Sequence, residues 1–309
     1  MTYPVVVYGV PYIPPPPPVK PFRRGTNKWH GWDGSVWDLG DFAGGVVFAD
    51  GGASGLAEEP PFERQTSTSP AAAGSRYKGT RTAERPVDWN VLVWSDKGSA
   101  EWLARDAGFA KTLWPHKTGV WEHITPAGGR RFLRLRFESR DLVSRERGDS
   151  HGQGWSGYQI QFVAEEPHWY GEEIVRSWSS PAPVDFFGTT GGPPFNISAS
   201  STIATATIDN PGDVAAWPTW TLKGPLTSIS IQVNGGGLGL PNLAAGQTLV
   251  INTDPRVATA ELDGVDVAGL VDPWDPREVP PGEAVPAAIS VTGSGEVHLS
   301  LTPRYYRAW

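Results

Sequence analysis

The chain contains no cysteine. That excludes disulfides and thiolate metal sites, and it removes the usual mark of a small secreted scaffold. No stretch approaches the roughly 18 consecutive apolar residues that a membrane-spanning helix requires. The opening residues, MTYPVVVYGVPYIPPPPP, have neither the basic n-region nor the small-residue cleavage site of a signal peptide, so the expectation is a soluble chain not exported by that route. Basic residues thin out toward the C-terminus. Residues 1–170 carry 20 Lys+Arg against 19 Asp+Glu and residues 171–309 carry 6 against 14, so the +1 and −8 account for the net charge of −7. An acidic second half repels polyanions, which argues against nucleic-acid binding there.

Turn chemistry is abundant: 37 glycines and 30 prolines stand beside 15 tryptophans in 309 residues, and long helical patterns are few. Such a composition predicts many short strands, an all-β fold with a minor helix. The length is enough for two domains, each burying its own core.

Residues 1–25 read as an extended arm. A short apolar run, VVVYGV, precedes five consecutive prolines at 14–18, which favour polyproline II; the arm either reaches a neighbour or acts as a stiff spacer. Residues 26–178 form the first domain. Within it, 50–86 is rich in Gly, Ala, Ser, Thr and Glu without periodicity and is expected to be a long loop. DWNVLVW, VWEHIT, RRFLRLRFES and YQIQFVAEE read as strands, and SAEWLARDAG as a short helix capped by Ser99. In RRFLRLRFES a period of two places Leu133, Leu135 and Phe137 on one face and Arg134 and Arg136 on the other. Residues 179–195, rich in Pro, Gly and Ser, form the linker. Residues 196–309 contain SISIQV, QTLVIN, VATAELD, AAISVT and EVHLSLT, an antiparallel sandwich or jelly roll. The turn Asn210-Pro211-Gly212-Asp213 is expected to join two strands of one sheet, with Pro218 confining the second to an edge or to its first residues.

Motifs that would carry chemistry are weak. GQGWSG (152–157) satisfies G-x-G-x-x-G, but it follows a polar run and precedes a strand, the reverse of a dinucleotide fingerprint, and reads as a flexible loop. The histidines at 30, 116, 123, 151, 168 and 298 never take a zinc-ligand spacing. Asp33, Asp38 and Asp41 do not fit the alternate-oxygen pattern of a calcium loop. Glu165 with Glu166, and Asp272 with Asp275, are carboxylate pairs of the kind a glycan hydrolase uses, yet an acidic domain supplies such pairs by chance. Asn196-Ile197-Ser198 matches a glycosylation acceptor in a chain without a secretion signal. No catalytic residue, metal site or cofactor is legible. Trp217, Trp220 and Trp274 in the acidic half are the candidate glycan-stacking residues; the other reading is that they pack in the core or at subunit contacts.

Seven stretches in order, ERPVDWNVLVW, GGRRFLRLRF, YQIQFVAEEPHWYG, IDNPGDVAAWPTWTLKGP, INTDPR, LDGVD and PRYYRAW, carry a resemblance over residues 85–309. The chain resembles the distal tail protein of long-tailed bacteriophages, often labelled a minor tail protein in phages of actinobacteria. The arm and the region to residue 86 match no part of that pattern, and the Glu165-Glu166 pair stands where a smaller acidic turn is expected. The resemblance implies a tail-tube-like β-sandwich hub domain followed by a galectin-like sandwich. It implies a homohexameric ring in the virion, at the distal tail tip, assembled in the host bacterial cytoplasm. The implied partners are the tail tube protein, the tape measure protein and the tail-associated hub and fibre or receptor-binding proteins. DNA would pass through the lumen without specific binding, and no membrane is involved. A carbohydrate-binding module for host-wall glycan is the alternative, with a glycan hydrolase behind it.

Overall fold

The computed structural model describes residues 24–143, 149–179 and 200–309. The proline arm, nearly all of the 179–195 passage and Asn196 lie outside the described residues. The first half contains β1 (Thr26–His30), β2 (Val36–Asp38), β3 (Val46–Ala53), β4 (Phe62–Ser69), β5 (Ala72–Thr82), β6 (Arg85–Trp94), α1 (Ser99–Lys111), β7 (Thr118–Ile124), β8 (Arg130–Leu142), α2 (Ser150–Gln153), β9 (Trp155–Ala164) and β10 (Trp169–Tyr170). The second contains β11 (Ile174–Ser179), β12 (Ser200–Asp209), β13 (Thr219–Lys223), β14 (Leu226–Val233), β15 (Gly236–Leu240), β16 (Thr248–Asn252), β17 (Thr259–Leu262), β18 (Val265–Asp266), β19 (Trp274–Asp275), β20 (Ala284–Gly293), β21 (Glu296–Leu301) and β22 (Arg304–Tyr305). The chain is mostly β, as its composition predicts.

The first sheet runs β2-β1-β7-β8-β9-β6-β3. Period-two alternation turns Val87, Trp89, Val91 and Val93 of β6 inward, opposite Ile160 and Phe162 of β9. The sheet curls until distant strands meet: Trp89 lies 5.3 Å from Trp29 of β1 and 5.1 Å from Trp121 of β7, edge to face in both cases. Gly119 is required here, because a Cβ would fall 2.2 Å from the Trp29 indole. On β8, Leu133 and Leu135 are fully buried and Phe137 half-buried, while Arg134 is exposed. Helix α1 lies on the sheet through buried Trp102 and Phe109, and Asp106 pairs with Arg140 of β8.

Three local expectations are corrected. The N-cap of α1 is Gly98, which makes no side-chain cap; Ser99 sits in the first turn and its hydroxyl donates to the His151 carbonyl at 2.6 Å. Most of the 50–86 region is regular: β3 extends to Ala53, and among the described residues β4 pairs with β5 alone. Its composition hid this because every β4 side chain is exposed, so no polar and apolar alternation exists to be read. The GQGWSG segment holds the end of α2 and the start of β9, with Gly154 at φ 72° capping the helix.

The second half is a sandwich. A sheet ordered β11-β21-β13-β16-β17-β18 faces one ordered β12-β20-β14-β15-β19. Their inner faces share one core, with Leu222, Ile251 and Leu299 from the first sheet and Ile231, Ile289 and Val291 from the second. The Asn-Pro-Gly-Asp corner therefore joins opposite sheets, because β12 and β13 lie on different layers. Asn210 holds it: its side-chain amide donates to Val214 and Val279 carbonyls, both at 2.9 Å, and its oxygen accepts from Gly212 N at 3.0 Å. Pro218 stands just before β13, which is a central strand, so its missing N–H falls outside the ladder. β11 pairs with β21 within the second half, whereas β22 returns to pair with β10, so the C-terminal strand extends the sheet of the first half.

Candidate interaction surfaces

The three tryptophans expected to stack on sugar are dispersed. Trp220, on β13, is fully buried in the sandwich core with its ring 6.2 Å from Trp178, so it has no face to offer a ligand. This corrects its candidacy: inward parity on a central strand places it there. Trp274, on β19, is half-buried against the same core. Trp217 is half-buried and lines two clefts, neither of which includes Trp220 or Trp274.

The larger of these clefts, about 730 Å³, lies at the junction of the two halves. Its wall is a charged network. Asp254 accepts from Arg256 at 2.7 Å and from Arg304 at 2.6 Å, Arg256 also pairs with Glu166, and Glu165 pairs with Arg136 at 2.6 Å. Both glutamates of the expected acid pair are thus engaged by arginines, and Asp275 of the other pair meets Arg277 at 3.1 Å. Burial, with Arg304 and Arg85 nearby, pushes His168 down to about 4, so its ring is neutral at pH 7 and its Nδ1 faces Glu166 at 3.0 Å.

Behind the cleft sits Arg85, the first residue of β6, 2% exposed. Its guanidinium donates to four main-chain oxygens: Pro167 at 2.6 Å, Gly55 at 2.8 Å, Glu58 at 3.0 Å and Tyr306 at 2.6 Å. Desolvation lowers its pKa to about 10, which leaves it charged at neutral pH. Ala308 is fully buried in the first core, and its N–H donates to Leu56 O at 2.9 Å. Residues 304–308 are therefore part of the first half's structure.

The aspartates at 33–41 are turn residues. Asp33 accepts from Ser35, Asp38 from Gly40 N and Asp41 from Ala43 N. Among the described residues no group of three His, Cys, Asp or Glu side chains is arranged to hold a metal.

Sequence reasoning missed the exposed aromatics of the first half. Trp32 and Trp114 form one pair with centroids 6.4 Å apart. Phe42, Trp94 and Trp155 line an apolar groove of about 490 Å³. Phe42 is 61% and Trp155 40% exposed. A signal existed for Trp155: counted back in twos from Gln161, it falls on the outward face of β9.

No family model matches the chain. Its structure superposes on that of the Dit protein of phage SPP1, described as a paradigm of the hub adsorption apparatus in phages infecting Gram-positive bacteria, with a TM-score of 0.60 and 14% identity, covering 91% of this chain and 99% of that one. The fold is that of a phage distal tail protein. A chain of the phage P2 baseplate in its activated, calcium-bound conformation shares the distal-tail fold at a TM-score of 0.53 and 14% identity, over 91% of this chain and 98% of that one. In sequence, the minor tail protein Gp27 of Mycobacterium phage L5 is 23% identical over 287 residues, 76% of this chain and 84% of that protein.

Proposed function

We propose that this chain is a structural virion protein of a long-tailed bacteriophage, acting as the hub at the distal end of the tail. About six copies close into a ring that joins the tail tube to the tip, since a closed ring satisfies head-to-tail interfaces that would otherwise propagate. The tube protein and tape measure meet the hub on one side, and hub, fibre or receptor-binding proteins dock outside it. The lumen passes DNA without binding it tightly, which suits a first half of nearly neutral charge. Copies assemble in the bacterial cytoplasm and reside in the virion tail. The observation that carries this reading is the extent of the superposition: both halves of the chain correspond to both halves of a hub protein, with nearly all of that protein covered. The exposed aromatic surfaces of the first half suit a chain that is buried against neighbours.

Light scattering on the purified protein, with negative-stain imaging of any oligomer, tests it. A ring of about six copies with a central channel is expected. A monomer that stays monomeric when mixed with its tail tube protein would sink the ring.

A further inference from the structure

Four side chains from one end of the β21-β13-β16 face line the junction cleft: Trp217, Thr219, Asn252 and Thr302. The parity that turns Trp220 and Leu222 of β13 into the core turns Thr219 outward. Thr219 lies level with Asn252 of β16 and Ser300 of β21, so Asn252 shares its face, and Thr302 follows Ser300 by two residues. Trp217 precedes Thr219 by two. The polar atoms of this group are unengaged. Asn252 Oδ1 accepts from Asp254 N at 3.0 Å, which orients the amide, while Asn252 Nδ2, the Trp217 indole N–H and both threonine hydroxyls make no hydrogen bond among the described residues.

The charged part of the wall is the reverse. Arg136, Arg256 and Arg304 are each held by Glu165, Glu166 or Asp254, so a polyanion or a polycation finds its counter-charges already taken. The remaining cation, Arg134, lies 5.6 Å over the Tyr170 ring, which is itself stacked on Phe132. Trp217 has no ring or cation against it among the described residues. What the cleft offers is one aromatic plane ringed by uncharged donors and hydroxyls, in a volume of about 730 Å³, within the roughly 300–1,000 Å³ of small-molecule sites. A sugar ring matches this chemistry: its axial C–H face is apolar, and its hydroxyls both donate and accept. We propose that the cleft binds a neutral oligosaccharide, with one ring lying on Trp217 and its hydroxyls bonded to Thr219, Asn252 and Thr302. Trp217 also walls the adjoining cleft of about 440 Å³, so the sugar chain has room to continue past the indole. This inference does not rest on the ring reading.

Isothermal titration calorimetry of the full chain tests it, with tetrasaccharides of glucose, galactose, mannose and N-acetylglucosamine as neutral probes and inorganic polyphosphate as the anionic one. At least one tetrasaccharide is expected to bind with a millimolar or tighter Kd, and polyphosphate is expected not to bind. Trp217→Ala and, separately, Thr302→Lys should each weaken that binding at least about tenfold. Thr302 is exposed and its hydroxyl makes no hydrogen bond among the described residues, so its replacement leaves the fold intact and decides the matter if Trp217→Ala unfolds. Failure of every tetrasaccharide to bind, binding indifferent to both replacements, or binding of polyphosphate in their place would overturn the proposal.

Discussion

Arg85 donates to the main-chain oxygen of Tyr306 at 2.6 Å across 221 residues of sequence. The same guanidinium holds the loop at Gly55 and Glu58 and the turn at Pro167, so one buried cation fastens three segments of the first half and the returning C-terminal strand. The junction of the two halves is built around it.

Replacing Arg85 with methionine leaves four carbonyls short of a donor. A loss of about 3–5 kcal/mol is expected, with both halves losing stability in one denaturant transition. Arg85→Lys should recover only part of it, because an ammonium cannot reach four oxygens spread around a planar fork. Equilibrium unfolding followed by tryptophan fluorescence measures both; an Arg85→Lys protein as stable as the parent would contradict the geometry.

Asp254 stands between Arg256 and Arg304. Asp254→Asn removes the charge that holds the two cations together and should cost about 1–3 kcal/mol. Its effect should centre on the cleft, seen as faster proteolysis near Arg256 with the first sheet still protected from hydrogen exchange.

Stability should fall on acidification through His168. Its folded pKa is about 4, below the ordinary 6.5, so the folded chain binds fewer protons than the unfolded one between those values. The stabilisation is fully present above about pH 6.5 and is lost as pH falls toward 4, to a total of about 3 kcal/mol. His168→Phe keeps a ring against Tyr306 and removes the titration, so its melting temperature should vary less between pH 7 and pH 4.5. An unchanged slope would assign the acid sensitivity to other groups.

Trp220→Ala should destabilise the sandwich by about 3–5 kcal/mol, as expected for emptying a core site of that size. Trp217→Ala should be far milder. If host-wall glycan binds this half at all, it should quench Trp217 and leave Trp220 unaffected, which single-tryptophan replacements in fluorescence titrations distinguish.

The β4–β5 hairpin pairs with no other strand among the described residues, and an isolated two-stranded ribbon is marginal in water. Its amides at 62–82 should exchange at least about a hundredfold faster than those of β6 in the dissociated chain. Protection of the hairpin on assembly would show that neighbours cover it.

Strands such as Arg130–Leu142 and Trp155–Ala164 were legible because alternation is a local property: each side chain's face follows from its parity, whatever the partner strand. The Asn-Pro-Gly-Asp corner was legible for the same reason, since proline and glycine restrict and free backbone angles residue by residue. Which strands that corner joins was not. A turn is a property of four residues, whereas membership of a sheet depends on hydrogen bonds to strands scores of residues away, as β12 finds in β20 and β13 in β21. The hairpin escaped notice because strands with two polar faces carry no period. Nothing in the sequence marked Arg85, and Trp220 and Trp217 stood there as equivalent candidates. Burial separated them, and burial is decided by long-range pairing, by β22 returning to β10 and by two sheets closing over one core.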